Sequence, residues 1–193
     1  MTEEQFIFPL GTVLYPGGAL ALRIFEQRYI EMTKTCLRDE RPFGVCLIRE
    51  GREVGEPAVP ETIGCLASIE SWDMPQLGLF HLVGRGSDRF RLLDSRAAKN
   101  GLITGTIERL PADPPQAPVD AGCRDILKVL IERVGEAHFP APVLLDDGSW
   151  VSYRLAEVLP LDARVKQTLL EIDDVAQRQA KLREILISKG LVS

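Results

Sequence analysis

The segment Pro111-Ala-Asp-Pro-Pro-Gln-Ala-Pro-Val-Asp-Ala121 carries four prolines in eleven residues, and no other stretch narrows so much what the chain can build. Proline has no amide proton to give a helix or a central strand, and its fixed φ stiffens the backbone. The segment is therefore expected as a stiff connector. It also separates two kinds of pattern: before it, apolar residues alternate or fall in short runs, and after it they recur at helical spacing. The expected organisation is a β-rich subdomain over residues 1–110, a proline-rich linker over 111–121 and a helical bundle over 122–193. A length of 193 residues permits about one to one and a half domains at roughly 150 residues each.

In the first part, Phe6–Leu10 and Ala19–Ile24 read as strands around the turn Tyr15-Pro16-Gly17-Gly18, where proline presets the turn and glycine permits positive φ. From Phe25 the period changes. Phe25, Tyr29, Met32, Cys36 and Leu37 share one helical face, and the helix is expected to end near Arg41-Pro42, because the residue before a proline avoids the α region. Phe43–Arg49 is a short apolar strand and Gly51–Glu61 a polar loop; strands are expected at Ile63–Trp72, Leu79–Gly84, Arg89–Asp94 and Leu102–Arg109. Apolar residues on both faces of Leu79–Gly84 suit a closed or partly closed barrel better than a one-sided sheet. The helix from Phe25 would cover one end. His81, inside that apolar strand, is expected as a packed histidine rather than a catalytic one.

The second part reads as helices. Asp120 can cap a helix running to about Ala137 with Leu127, Leu130, Ile131 and Val134 on one face, and Ser149 can cap Trp150–Leu159. Asp162 can cap Ala163–Glu171. The last helix opens on Asp174-Val-Ala-Gln177, carries Val175, Leu182, Ile185 and Leu186 as its stripe, and ends at Gly190.

The charge balance excludes some functions. A net charge of −5 and a sequence pI near 5.2 lack the basic footprint that drives nonspecific nucleic-acid binding. Cys36, Cys46, Cys65 and Cys123 have neither C-x-x-C spacing nor a histidine at zinc-ligand distance, so no metal site and no cofactor is expected. Cys36, Cys46 and Cys65 lie inside apolar runs and read as small buried hydrophobes. The phosphate-cradling motif is absent, and Gly84-Arg85-Gly86 leads into a strand with Arg89 where a third glycine belongs. Neither His81 nor His138 sits in a nucleophile elbow. No apolar run has signal-peptide or membrane-helix length, so a reduced cytoplasmic protein is the expectation. No catalytic residue is assigned.

What is left is recognition surface. Trp72, Met74 and Leu77 surround a proline in a hairpin loop, and aromatic and Met side chains suit adaptable binding surfaces. Phe139, Trp150 and Tyr153 pose the same possibility where the β-rich and helical parts meet, a common setting for ligand sites.

Three segments carry a specific resemblance. Phe8-Pro9-Leu10, Val13-Leu14-Tyr15-Pro16-Gly17-Gly18 and Leu20-Ala-Leu-Arg-Ile24-Phe25-Glu26-Gln27-Arg28-Tyr29 together resemble the N-terminal domain of the Lon ATP-dependent protease. Phe43-Gly44-Val45, Ile63-Gly64-Cys65, Gly86 and Arg89-Phe90-Arg91 extend it, and Leu155–Leu159 and Lys166–Glu171 resemble its helical part. Pro16, Gly17, Ile24, Phe25, Glu26, Arg28 and Tyr29 are read as structural: Phe25 and Tyr29 lock the helix onto the barrel, and Glu26 meets the positive end of its dipole. The resemblance implies an α+β fold, a PUA-like β-barrel subdomain with one covering helix followed by a small helical bundle. It also implies a part in substrate recognition, with ATP hydrolysis and peptidase chemistry carried by later domains that the chain, ending at Ser193, does not reach. A standalone bacterial protein of this type, non-enzymatic and binding unfolded or apolar peptides or a protein partner, is the leading expectation. RNA binding by a PUA-like barrel and an enzyme with an unrecognised site are the alternatives. Oligomeric state is open.

Overall fold

Period-two patterning before Pro111 produces six strands, β1 (Thr2–Leu10), β2 (Ala19–Ile24), β3 (Phe43–Glu50), β4 (Val59–Gln76), β5 (Leu79–Ala97) and β6 (Ile103–Arg109), with helix α1 (Gln27–Arg38) between β2 and β3. Helical spacing after it produces α2 (Ala121–Val134), a 3-10 turn, α3 (Gly148–Val158), α4 (Ala163–Glu171) and α5 (Val175–Ser188). The computed structural model describes residues 2–191. It falls into two units, Met1–Pro111 and Ala112–Ser193, and the fold is α+β.

In the first unit the strand order is β2-β5-β4-β3-β1-β6, and β6 pairs back onto β5. Five strands thus hydrogen-bond around a ring, while β2 is attached through β5. The arrangement is consistent with the expected PUA-like fold. The two short strands expected at Leu79–Gly84 and Arg89–Asp94 are one continuous strand. Its first part pairs with β2 and β4, and its second with β6. Register shifts at Cys65/Ala67 and Ile69/Ser71 on β4, and at Leu92/Asp94 on β5, mark the irregularities along it. Such bulges bend and twist a strand, which lets one strand serve two neighbours.

Alternate side chains enter two cores. Phe8, Val45 and Cys65 join Tyr29, Met32 and Cys36 of α1, whereas their chain neighbours Ile7, Cys46 and Leu66 pack with Phe90, Leu92 and Ile107. Tyr29 stacks on Phe8 at 4.1 Å between ring centroids, fixing α1 to the sheet. Phe25 does not share that task. It precedes the helix and is 58% exposed, because the chain turns into α1 only after Glu26. His81 is also exposed: Phe80 and Leu82 point inward, and period two leaves His81 outward between Arg23 and Asp73 of the adjacent strands.

In the second unit Asp120 caps α2 and Asp174 caps α5 through bonds to Cys123 N and Gln177 N. The cap of α3 is Asp147, not Ser149. Asp147 Oδ1 accepts from the amides of Ser149 and Trp150, while Ser149 Oγ donates to Asp113 Oδ2 at 2.5 Å. Asp162 precedes α4 without a side-chain cap bond. Val134 is exposed on α2, where the helix is already ending. Gly190, at φ 68°, closes α5: its amide reaches Ile187 O, and Leu191 N reaches Leu186 O, the paired bonds of a Schellman cap.

The proline-rich segment is seated on these helices. Arg178, fully buried on α5, donates to Asp113, to Ser152 Oγ at 2.9 Å and to Ile172 O at 2.9 Å. Gly148 N donates to Ala117 O at 2.8 Å, and Gln179 Nε2 to Pro118 O at 2.8 Å. A Cβ on Gly148 would lie 2.2 Å from Pro118 O. What reads in sequence as a stiff connector is a strap, because groups on α3 and α5 supply the partners that its prolines cannot make among themselves.

Candidate functional site

The turn at Tyr15–Gly18 sets the site. Gly18 N bonds back to Tyr15 O at 2.9 Å, and Gly17 takes φ 73°, the positive value that a type II turn after Pro16 requires. The turn is then fastened to β5. Gly17 N donates to Gly86 O and Gly86 N to Gly18 O, each at 2.8 Å. Arg85 Nη1 donates to Gly17 O at 3.0 Å, and a Cβ at Gly86 would sit 2.1 Å from Tyr15 O. Only glycine permits that approach. The turn delivers Ala19–Ile24 onto β5 as β2.

At the far end of β2 the chain enters α1. Glu26 stands at the N-cap without a side-chain cap bond; its carboxylate pairs with Arg28 Nη2 at 2.9 Å. The buried Arg28 also donates to Gly101 O at 3.1 Å and lies over the Tyr29 ring. Burial pushes the Tyr29 hydroxyl above its ordinary pKa, against the opposing charge of Arg28. Glu26, Arg28 and Tyr29 therefore hold the entrance to the helix and leave Phe25 outside it.

Beside this corner lies a cleft of about 370 Å³, walled by Phe8, Leu10, Leu20, Leu22, Ile24 and Tyr29 and rimmed by Phe25 and Val54. Both rim residues are more than half exposed. Glu53 Oε1 accepts from Gly11 N at 2.5 Å, which ties the polar loop to the end of β1 and brings Val54 to the cleft. Arg23, Glu26 and Glu53 are the charged residues of the lining.

The residues expected for recognition divide between the two units. Trp72, Met74 and Leu77 lie on the β4–β5 hairpin and are all exposed, Leu77 at 96%. Trp72 leans on Phe80 at 5.7 Å between ring centroids, and Phe80 is the ladder partner of Ile24 in the cleft wall. Apolar side chains thus continue from the cleft to the hairpin. Phe139 and Trp150 are half-buried in the helical unit. Tyr153 is a correction: it is 3% exposed, with Arg178 stacked on its ring at 3.9 Å, and it is a core residue. Helical spacing could not reveal this, since the partner arrives from α5. The wall residues Phe8, Leu10, Leu20 and Leu22 belong to the segments that carry the family resemblance, and the sequence did not mark them as recognition residues. Val54, an apolar side chain flanked by charged residues and glycine in the polar loop, was the available signal.

The thiols offer little chemistry. Cys36, Cys46, Cys65 and Cys123 are buried thiols outside any disulfide, and burial raises Cys36 to about 11 and Cys123 to about 12. Among the described residues, no three His, Cys, Asp or Glu side chains cluster as a metal site, and no helix is long and apolar enough to cross a membrane.

Residues 5–188 match the profile of the family described as the ATP-dependent protease La (LON) substrate-binding domain. The chain belongs to this Lon substrate-binding domain family. The domain is 27% identical over 197 residues to a Lon protease of Paraburkholderia phytofirmans, covering 97% of this chain and 24% of that protein. It is 26% identical to a Lon protease of Anaeromyxobacter dehalogenans, covering 95% of this chain and 23% of the relative. The chain thus spans about a quarter of the length of these curated relatives. Among solved structures, a Lon N-terminal domain protein from Xanthomonas campestris superposes with a TM-score of 0.77 at 35% identity, covering 94% of this chain and 98% of that one. The N-terminal domain of a Lon protease from the Mycobacterium avium complex shares the fold, with a TM-score of 0.69 at 16% identity, 94% of this chain and 97% of that one being covered.

Proposed function

We propose that this Lon-type domain is a recognition module that acts by binding, not by catalysis, and that it takes exposed apolar segments of unfolded polypeptide or of a protein partner into the cleft beside β2. The observation that carries the reading is an apolar cleft of about 370 Å³ with Phe25 and Val54 standing exposed at its rim. A volume of this order is that of a ligand pocket, and apolar side chains gathered at a surface gain free energy when covered. Trp72, Met74 and Leu77 extend the same apolar character along the hairpin. The family description supports polypeptide as the ligand class. The net charge of −5 works against nucleic acid as the partner, and a cytoplasmic setting accords with unfolded protein as the ligand.

Fluorescence anisotropy with a dye-labelled apolar peptide tests the reading. Phe25→Ser and Val54→Ser are expected to weaken binding by about five- to tenfold each, as loss of apolar anchors does. Equal affinity of both variants and the parent protein, or no affinity in the parent, would contradict it.

A further inference from the structure

The lining of the cleft says how a bound segment would be held. Leu20, Ala21, Leu22, Arg23, Ile24 and Phe25 all contribute to it, an unbroken run. Successive residues of a strand point to opposite faces, and here Leu20 and Ile24 are buried whereas Ala21 and Arg23 are exposed. A cleft on one face of β2 would touch alternate residues only. One that touches every residue runs along the strand's edge. That edge is open: among the described residues β2 pairs with β5 alone. Opposite it stand Phe8, Leu10 and Thr12 and the loop residues Glu53 and Val54.

The charges of the lining narrow the occupant. Glu26 is engaged by Arg28 at 2.9 Å, and Glu53 by the amide of Gly11 at 2.5 Å. Arg23 is exposed on β2, where it is laddered to His81, and its guanidinium makes no hydrogen bond or ion pair to any described residue. The cleft therefore offers apolar walls, an open row of backbone donors and acceptors along β2, and Arg23 as a cation in no ion pair. The neutral Gly11 amide that bonds Glu53 does not cancel that carboxylate's charge, so an acidic group on the ligand would have to lie towards Arg23 and away from Glu53.

We infer that the ligand binds as an added β-strand along the open edge of β2, and that the favoured segment is extended and apolar with a carboxylate placed to meet Arg23. This rests on the peptide-binding reading above and deepens it. In strand addition the main chain supplies affinity and alternate side chains supply specificity. The six residues of β2 offer about 20 Å of edge at roughly 3.3 Å per residue, enough for a segment of similar length. Because backbone bonds carry the contact, many apolar sequences would be accepted.

The test uses the full chain and a dye-labelled octapeptide of alternating leucine and serine with one central glutamate. Single N-methylation is walked along the peptide, removing one backbone donor at a time. Every second methylation is expected to weaken binding about tenfold and the intervening ones to leave it nearly unchanged, since only alternate amides face the neighbouring strand. Arg23→Gln is expected to weaken the glutamate peptide severalfold and leave its glutamine counterpart unaffected; this exposed substitution spares the fold. Parent binding that is indifferent to methylation overturns strand addition and leaves the peptide-binding reading standing. Equal loss for both peptides on Arg23→Gln overturns the charge preference. A dimer that forms without peptide and dissociates as peptide binds assigns the edge to a second copy and overturns the proposal. Failure of every peptide to bind overturns both readings.

Discussion

A Cβ on Gly64 would lie 2.6 Å from Cζ of Phe90 and 2.4 Å from the carbonyl oxygen of Val45, so the Phe90 ring occupies space that only glycine leaves. Gly44 makes a similar concession, with Phe90 Cζ at 2.8 Å and Ile7 Cδ1 at 2.9 Å. The Phe-Gly-Val, Ile-Gly-Cys and Arg-Phe-Arg segments are thus one packing device in three strands, and Phe90 at its centre is fully buried.

The two glycines respond differently to the same rescue. Gly64→Ala should cost about 3 kcal/mol or more, because one neighbour is backbone; Gly44→Ala should cost about 1–2 kcal/mol, because its neighbours are side-chain ends. Adding Phe90→Leu should offset part of the Gly44→Ala loss and none of the Val45 clash at Gly64. Urea denaturation of the parent and the five variants, the three single and two double substitutions, as two double-mutant cycles measures the difference.

Loss of the Asp113 carboxylate should unsettle the helical unit. Arg178 is fully buried, and Asp113 is its charged partner; breaking a buried pair from one side costs about 3–5 kcal/mol. Asp113→Ala is expected to lower the stability of this unit by that order in chemical denaturation. In the parent protein a nonspecific protease should cut first in the exposed loop over residues 51–57 and spare the segment from Asp113 to Asp120, whose backbone is held by Gln179 and Gly148.

The division between strands and helices was legible in the sequence because periods of 2 and 3.6 are local signals. So were the caps at Asp120 and Asp174, which need only the next turn. The strap was not. Its proline content reports what it cannot do alone, whereas its structure comes from Arg178 and Gln179, more than fifty residues on in the chain. The ring pairing of β6 with β5 is equally non-local. At the site, the Pro16-Gly17 turn and the hairpin apolar residues could be read directly, but the cleft wall could not. Phe8 and Leu20 look like any inward strand residues until β1 and β2 are placed on either side of an opening. Tyr153 shows the converse, an aromatic that reads as surface and is enclosed by an arginine.

Buried thiols make stability fall on the alkaline side. Burial holds Cys36 near 11 and Cys123 near 12, and it raises Cys46 further, while Tyr29 is raised in the same sense. Each group keeps its proton in the folded state to a higher pH than when unfolded. The associated stability is complete below the ordinary thiol value of about 8.5 and is lost as pH rises through the raised values. Urea midpoints should be level from about pH 6 to 8 and decline above about 9, with a shallower decline in Cys36→Ala. At neutral pH a thiol reagent should label Cys36 at least about 100-fold more slowly in the native protein than in urea.

Exposed apolar residues should separate binding from stability. Leu77→Ser and Phe25→Ser remove side chains that are 96% and 58% exposed, so each should move the melting free energy by no more than about 0.5 kcal/mol. Both should weaken peptide binding, Phe25→Ser the more because it rims the cleft. Loss of stability that matched the loss of binding would mean that these side chains serve the fold.

The most direct test of the central claim is amide chemical-shift mapping of the isotope-labelled full chain during titration with the apolar octapeptide. The cleft account predicts saturable shifts concentrated at residues 20–25, at Glu53 and Val54 and at the end of β1, with smaller ones at Trp72. Shifts confined to α2–α5, or an unchanged spectrum at saturating peptide, would contradict it.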